Sequence, residues 1–156
     1  VTDRRGRLDF LLRRHHGKAR RDRLRTVLDT LPAGSWTFLD LAESDARWPA
    51  MRQAYGAARE ADTLDVGQEL PAAAFEPMLR EALTRLGDSV LVATSDVRTA
   101  GVLEIAAAPL IEHSLALLDL DRDDLFACRR DLTRGVAAQR FEYSDGVRYL
   151  LESWGD

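Results

Sequence analysis

The tripeptide Ser144-Asp145-Gly146 stands between two alternating, aromatic-bearing runs, 135–143 (GVAAQRFEY) and 147–154 (VRYLLESW). An Asp-Gly pair in that setting supplies the backbone freedom a tight hairpin needs, so the two runs are predicted to be antiparallel strands. A lone hairpin is only marginally stable in water. The rest of the chain must therefore supply more strands and a layer that covers one face.

Both are legible upstream. The run 89–94 (SVLVAT) reads as a strand buried on both faces, 125–129 as another, and 35–41 (SWTFLDL) as a first strand. Residues 97–105 read as a further strand, with a bulge or turn at Gly101. Helical spacing recurs in Leu8, Leu11, Leu12, His15 and Ala19, and again in Leu24, Val27, Leu28 and Leu31. Thr2 or Asp3 is placed to cap this segment. Gly17 separates the two sets, so 1–31 is one basic helix or a helix pair bent there, ended by Pro32-Ala33-Gly34. A second helix is expected from Ser44 or Asp45 to about Ala61, with the stripe Trp48, Met51, Tyr55, Ala58 and with Pro49 in its first turn. A third spans 71–86 through Phe75, Met78, Leu79, Leu83 and Leu86, its start delayed by Pro77 and its end set by Gly87. A short helix covers 109–118. Residues 62–70 read as a polar loop and 119–124 as an acidic turn. The expected fold class is α+β: a helical N-terminal half packed on a mostly antiparallel β-sheet formed largely by the C-terminal half, as one domain over residues 1–156.

Charge is split along the chain. Residues 1–30 hold ten cations and four acids, whereas 31–156 hold twelve cations and twenty-two acids, within a total of −4. A basic arm joined to an acidic body follows. Either the arm lies on the body's own acidic face, or each part meets an oppositely charged partner. Arg4, Arg7, Arg14, Lys18, Arg21 and Arg25 share a broad helix face that suits phosphates. No aromatic accompanies them for base stacking, which disfavours nucleic acid. With 21 Arg against one Lys, Arg abundance is also a property of the whole chain.

Catalytic constellations are missing from the sequence. Asp119, Asp121, Asp123 and Asp124 resemble the start of a calcium loop, but its Gly and Glu positions hold Asp124 and Arg130. His15 and His16 are adjacent on a helix and diverge by about 100°, so they cannot grip one metal. His113 reads as a packing residue, and Cys128 as a small apolar residue inside a strand. No phosphate loop or nucleophile elbow is present. No catalytic residue, metal or cofactor is expected. No apolar run reaches the roughly 18 residues of a membrane span, and no secretory signal is visible, so a cytoplasmic protein is expected. A small enzyme with an unfamiliar site would need a cleft lined by perturbed titratable groups.

Several stretches carry a resemblance. They are the basic helix (Arg13-Arg14, Lys18, Arg21, Arg23-Leu24-Arg25) and the strand with Trp36 and Phe38. In the C-terminal half they are Asp123-Asp124-Leu125-Phe126, Asp131-Leu132-Thr133-Arg134-Gly135, Phe141-Glu142-Tyr143 and Glu152-Ser153-Trp154-Gly155. Together these resemble the small immunity proteins that accompany polymorphic toxins, loosely the YxiF-like immunity family. The resemblance implies a non-enzymatic protein that neutralises a cognate toxin by direct binding in the producing cell. An acidic body suits a basic toxin such as a nuclease, and complementary charge speeds association. Charge density alone places the expected contact on Asp119, Asp121, Asp123 and Asp124, with Arg129 and Arg130 on the adjoining sheet edge. Four carboxylates within six residues repel one another, and a cationic partner relieves that repulsion. The alternative is a nucleic-acid-associated regulator using the basic helix.

Overall fold

A computed structural model describes residues 4–121 and 124–155. The described chain holds five helices and seven strands. They are α1 (Arg4–Leu28), β1 (Trp36–Phe38), α2 (Leu41–Glu60), β2 (Asp65–Val66), α3 (Ala72–Thr84), β3 (Ser89–Thr94), α4 (Val97–Ala100), β4 (Leu103–Ala106), α5 (Ala107–Asp121), β5 (Asp124–Arg129), β6 (Gly135–Tyr143) and β7 (Gly146–Trp154). The helices alternate with strands as far as β5, and β6 and β7 follow it directly. The strands form one antiparallel sheet in the order β1-β4-β3-β5-β6-β7-β2. Helices lie mainly in the N-terminal half and strands mainly in the C-terminal half, so the fold is α+β, as the sequence pattern predicts. No helix among the described residues is long and apolar enough to cross a membrane.

The hairpin register is Tyr143 opposite Gly146, which leaves Ser144-Asp145 as a two-residue turn. Both sheet edges are short: β1 has three residues and β2 has two. Short edges leave little unpaired backbone to recruit another strand.

Side-chain alternation divides the sheet into two faces. Val90, Val92, Leu125, Ala127, Val136, Ala138, Tyr149 and Leu151 pack with Leu24 and Leu28 of α1, Phe75, Leu79 and Leu83 of α3, and Leu110, Leu117 and Leu118 of α5. Phe75 stacks on Tyr149 at 5.0 Å between ring centres. Leu91, Ala93, Cys128 and Trp154 on the opposite face meet Met51 and Ala58 of α2, and Val97 of α4.

Several local expectations are corrected. Segment α1 is one helix without a break at Gly17. A Cβ there would stand 1.9 Å from the Thr99 carbonyl oxygen, so glycine lets α1 and α4 approach rather than letting the helix bend. Thr2 and Asp3 lie outside the described residues. Helix α2 starts at Leu41, earlier than Ser44, because the Asp40 carboxylate accepts the Glu43 N–H at 2.8 Å and caps it. Pro49 is consequently mid-helix, where the Asp45 carbonyl loses its usual donor. Helix α3 begins at Ala72 after Pro71, so Pro77 falls inside it rather than at its start. The polar segment 62–70 contributes β2, paired with β7, and a bridge from Leu70 to Tyr149. Residues 97–105 split into the single turn α4 and strand β4, because Thr99, Ala100 and Gly101 donate back to Asp96 and Val97. Helix α5 extends past Leu118 to Asp121, so Asp119 and Asp121 are helical rather than part of a turn.

Candidate functional site

The described surface offers two features that a partner or ligand can use: the outer half of α1 and a cleft beside α2.

Helix α1 is docked by one side. Gly17, Leu24 and Leu28 are buried, and arginines tie the helix to the body. Arg13 grips the Asp45 carboxylate with both terminal nitrogens, at 2.6 and 3.1 Å, and donates through Nε to the Arg98 carbonyl at 2.9 Å. Arg20 faces Asp96 at 3.4 Å. Arg21 donates to the Ala100 carbonyl at 2.6 Å and lies 5.0 Å over the Phe38 ring. Arg23 donates to the Leu120 carbonyl at 2.6 Å. The arm therefore lies on its own body, and part of its charge is spent there.

Among the described residues nothing covers the opposite side of α1. Leu8, Leu11 and Leu12 are 59%, 50% and 49% exposed, with His15 and Ala19 exposed further along the same stripe. At 100° per residue this stripe points away from the Gly17, Leu24, Leu28 side. Arg7, Arg14 and Lys18, all exposed, line one flank of it. Within the set expected to meet phosphates, Arg4, Arg7, Arg14 and Lys18 are exposed, Arg21 is committed to the body, and Arg25 faces Asp22 at 3.6 Å.

The cleft has a volume of about 400 Å³ and opens where α2 passes the ends of β3, β5 and β6. Trp48 and Tyr55 of α2 and Phe126 of β5 give it aromatic walls, with ring centres 5.6 Å apart for Trp48–Phe126 and 5.7 Å for Tyr55–Phe126. Arg52 lies 5.9 Å over the Trp48 ring, and Arg98 reaches the same cleft from α4. The Tyr55 hydroxyl donates to Glu152 Oε2 at 2.8 Å. Burial, with Glu152 beside it, pushes the Tyr55 phenol above its ordinary value, so it remains a donor at neutral pH. The Thr94 hydroxyl is buried without a hydrogen-bond partner among the described residues, and strand alternation turns it to the sealed face with Val90 and Val92, away from the cleft.

Among the described residues expected at a partner contact, Asp124 begins β5 and Arg129 ends it, with Arg130 next, so they stand at opposite ends of that strand. Asp119 accepts from the Tyr149 hydroxyl at 2.7 Å and faces Arg140 at 3.4 Å. Asp124 lines the cleft. Arg129 pairs with Asp131 at 3.1 Å and Arg130 with Glu104 at 2.7 Å. Asp121 ends α5, and Asp123 lies outside the described residues. Cys128 is buried, and that burial pushes its thiol up to about 12, which suppresses the nucleophilic thiolate. Trp48 and Tyr55 are legible as an α2 stripe. Arg52 lies on the same helix, four residues after Trp48 and three before Tyr55, whereas Arg98, Phe126 and Glu152 arrive from separate segments and leave no spacing signal.

The chain matches no family model, no curated protein and no solved structure.

Proposed function

We propose that the protein acts by covering another protein: it neutralises a cognate toxin by direct binding, as an immunity protein does, and the outer face of α1 is its contact surface. The carrying observation is the exposed Leu8, Leu11, Leu12 stripe on a helix fixed to the body by Arg13 and Arg21. Contiguous apolar surface of this kind marks interaction sites. Three leucines on a fixed helix provide a preorganised apolar anchor, which lowers the ordering cost of association. Arg7, Arg14 and Lys18 along the flank select a partner whose apolar contact face carries acidic neighbours. This assigns an acidic rim to the toxin at this face, in place of the basic toxin suggested by the body's charge. The acidic set 119–124 is the rival surface, but Asp119 already serves Tyr149 and Arg140.

The test is whether a neighbouring gene encodes a toxin and whether this chain protects growth against it, with binding measured on the purified pair. The wild type is expected to protect. Leu8→Glu with Leu11→Glu is expected to abolish protection, because two charges enter an apolar contact while both positions are solvent-exposed in the free protein. Asp121→Lys with Asp123→Lys is expected to keep it. Full protection by the double glutamate variant removes the surface assignment, and absence of protection by the wild type removes the function. Salt-sensitive binding to DNA or RNA, lost on removal of residues 1–25, would instead support the nucleic-acid reading.

A further inference from the structure

We infer that the cleft beside α2 is a binding site for a small zwitterion with a planar ring, of the aromatic amino acid class. This site is separate from the α1 face and does not depend on the toxin reading.

Size and shape come first. A volume of about 400 Å³ lies in the range of small-molecule sites, which are largely apolar with a few convergent polar groups. Trp48, Tyr55 and Phe126 meet edge to face, at 87° and 73° between ring planes. Aromatic walls set at such angles suit a ligand ring, which gains both edge and face contacts. An aliphatic side chain would gain area alone.

Charge decides the rest. Arg52 and Arg98 are exposed cations at the cleft. A planar guanidinium fork matches a carboxylate with two parallel bonds. Glu152 accepts from Tyr55 through Oε2 and sets a carboxylate at the cleft wall. Asp124 adds a second carboxylate to the same wall. Two cations and two carboxylates around one apolar volume complement a ligand carrying both signs. A simple anion would face Glu152 and Asp124 with like charge, and a simple cation would face the arginines.

The experiment is calorimetric titration of the full chain with four compounds. L-Phenylalanine carries ring, carboxylate and ammonium. 3-Phenylpropionate lacks the ammonium, phenethylamine lacks the carboxylate, and L-leucine lacks the ring. L-Phenylalanine is expected to bind saturably, and each of the other three about tenfold or more weaker, the loss that follows from one missing charge-assisted bond or ring contact. Arg52→Gln and Arg98→Gln are each expected to weaken L-phenylalanine and 3-phenylpropionate, which carry the carboxylate, and to leave phenethylamine unchanged. Both arginines are exposed, so unchanged midpoints are expected. No saturable binding of L-phenylalanine up to about 10 mM, which corresponds to less than about 3 kcal/mol of affinity, overturns the inference. Equal binding of L-phenylalanine and 3-phenylpropionate also overturns it. Neither result touches the α1 face, which is read by the growth assay.

Discussion

One face of the sheet lies under α1, α3 and α5; the other lies under α2 with the single turn of α4. On the first face the large side chains are sealed: Phe75, Leu79, Leu83, Leu110 and Leu118 have no measurable exposure. On the second, Met51 and Cys128 are equally sealed, but Trp48, Tyr55 and Phe126 stay half-buried around the cleft. A single helix cannot cover a sheet wider than itself, so part of the apolar surface on that side stays open. The sealed face carries the stability, and the open face has room for a ligand.

The comparison breaks most directly in the core. Phe75→Ala removes a fully buried ring stacked on Tyr149 where α3 packs on α5 and the sheet. The expected loss is about 3–5 kcal/mol in urea unfolding. Phe126→Ala removes a ring that already borders solvent, and the expected loss is roughly half as large, since less area leaves water there. Equal losses would mean that the cleft side is packed as tightly as the sealed side.

The same asymmetry explains which parts of the fold the sequence discloses. The stripe Phe75, Leu79, Leu83 is easily read because its helix is covered by its own chain. The hairpin at 144–146 is read from turn chemistry that acts locally. The stripe Leu8, Leu11, Leu12 has the same periodicity as a core face, yet it points to solvent. Periodicity shows that a helix has an apolar side and does not show what covers it. Strand β2 escapes notice because two exposed residues, Asp65 and Val66, cannot display alternation. The cleft escapes because five separate segments build it, and only its α2 wall, with Trp48, Arg52 and Tyr55, shows helical spacing. Ser44 shows a third limit. It resembles a helix cap, but its hydroxyl accepts the Val102 N–H at 2.9 Å and joins α2 to the approach of β4, a contact 58 residues apart in sequence.

Two glycines sharpen the contrast between a docked helix and one with open sides. Alanine in a helix interior is worth about 1 kcal/mol more than glycine. At Gly56 of α2 a Cβ would have no neighbour within 4 Å. Gly56→Ala is therefore expected to stabilise the protein by about 0.5–1 kcal/mol. At Gly17 the Cβ would meet the Thr99 carbonyl oxygen, which belongs to backbone and cannot swing aside. Gly17→Ala is expected to destabilise by about 1–3 kcal/mol despite the propensity gain. Opposite signs in thermal melts are the expected result, and a stabilising Gly17→Ala would show that α1 is only loosely held against α4.

The smallest effect concerns the arginine that fixes the outer half of α1. The hydrogen bonds from Arg13 hold the Asp45 carboxyl below its ordinary 3.8, and Asp45 in turn raises Arg13. A carboxyl whose folded value is depressed contributes stability above its unfolded value and loses it as pH falls through the folded one. The contribution is therefore complete at neutral pH, begins to fall below about pH 4 and is gone only below the depressed folded value. Asp45 is half exposed, so the pair is worth at most about 1 kcal/mol to global stability. Its local effect is the sharper readout: Asp45→Asn is expected to speed amide hydrogen exchange in the first turns of α1 at pH 7, with little change in the global melting point. Because the variant lacks the titrating group, lowering the pH to about 3 is expected to bring the wild type toward the variant in those turns. Identical exchange in both proteins at pH 7 would mean that the buried contacts from Gly17 to Leu28 hold α1 without help from Arg13, and that the exposed leucines are oriented by helix stiffness alone.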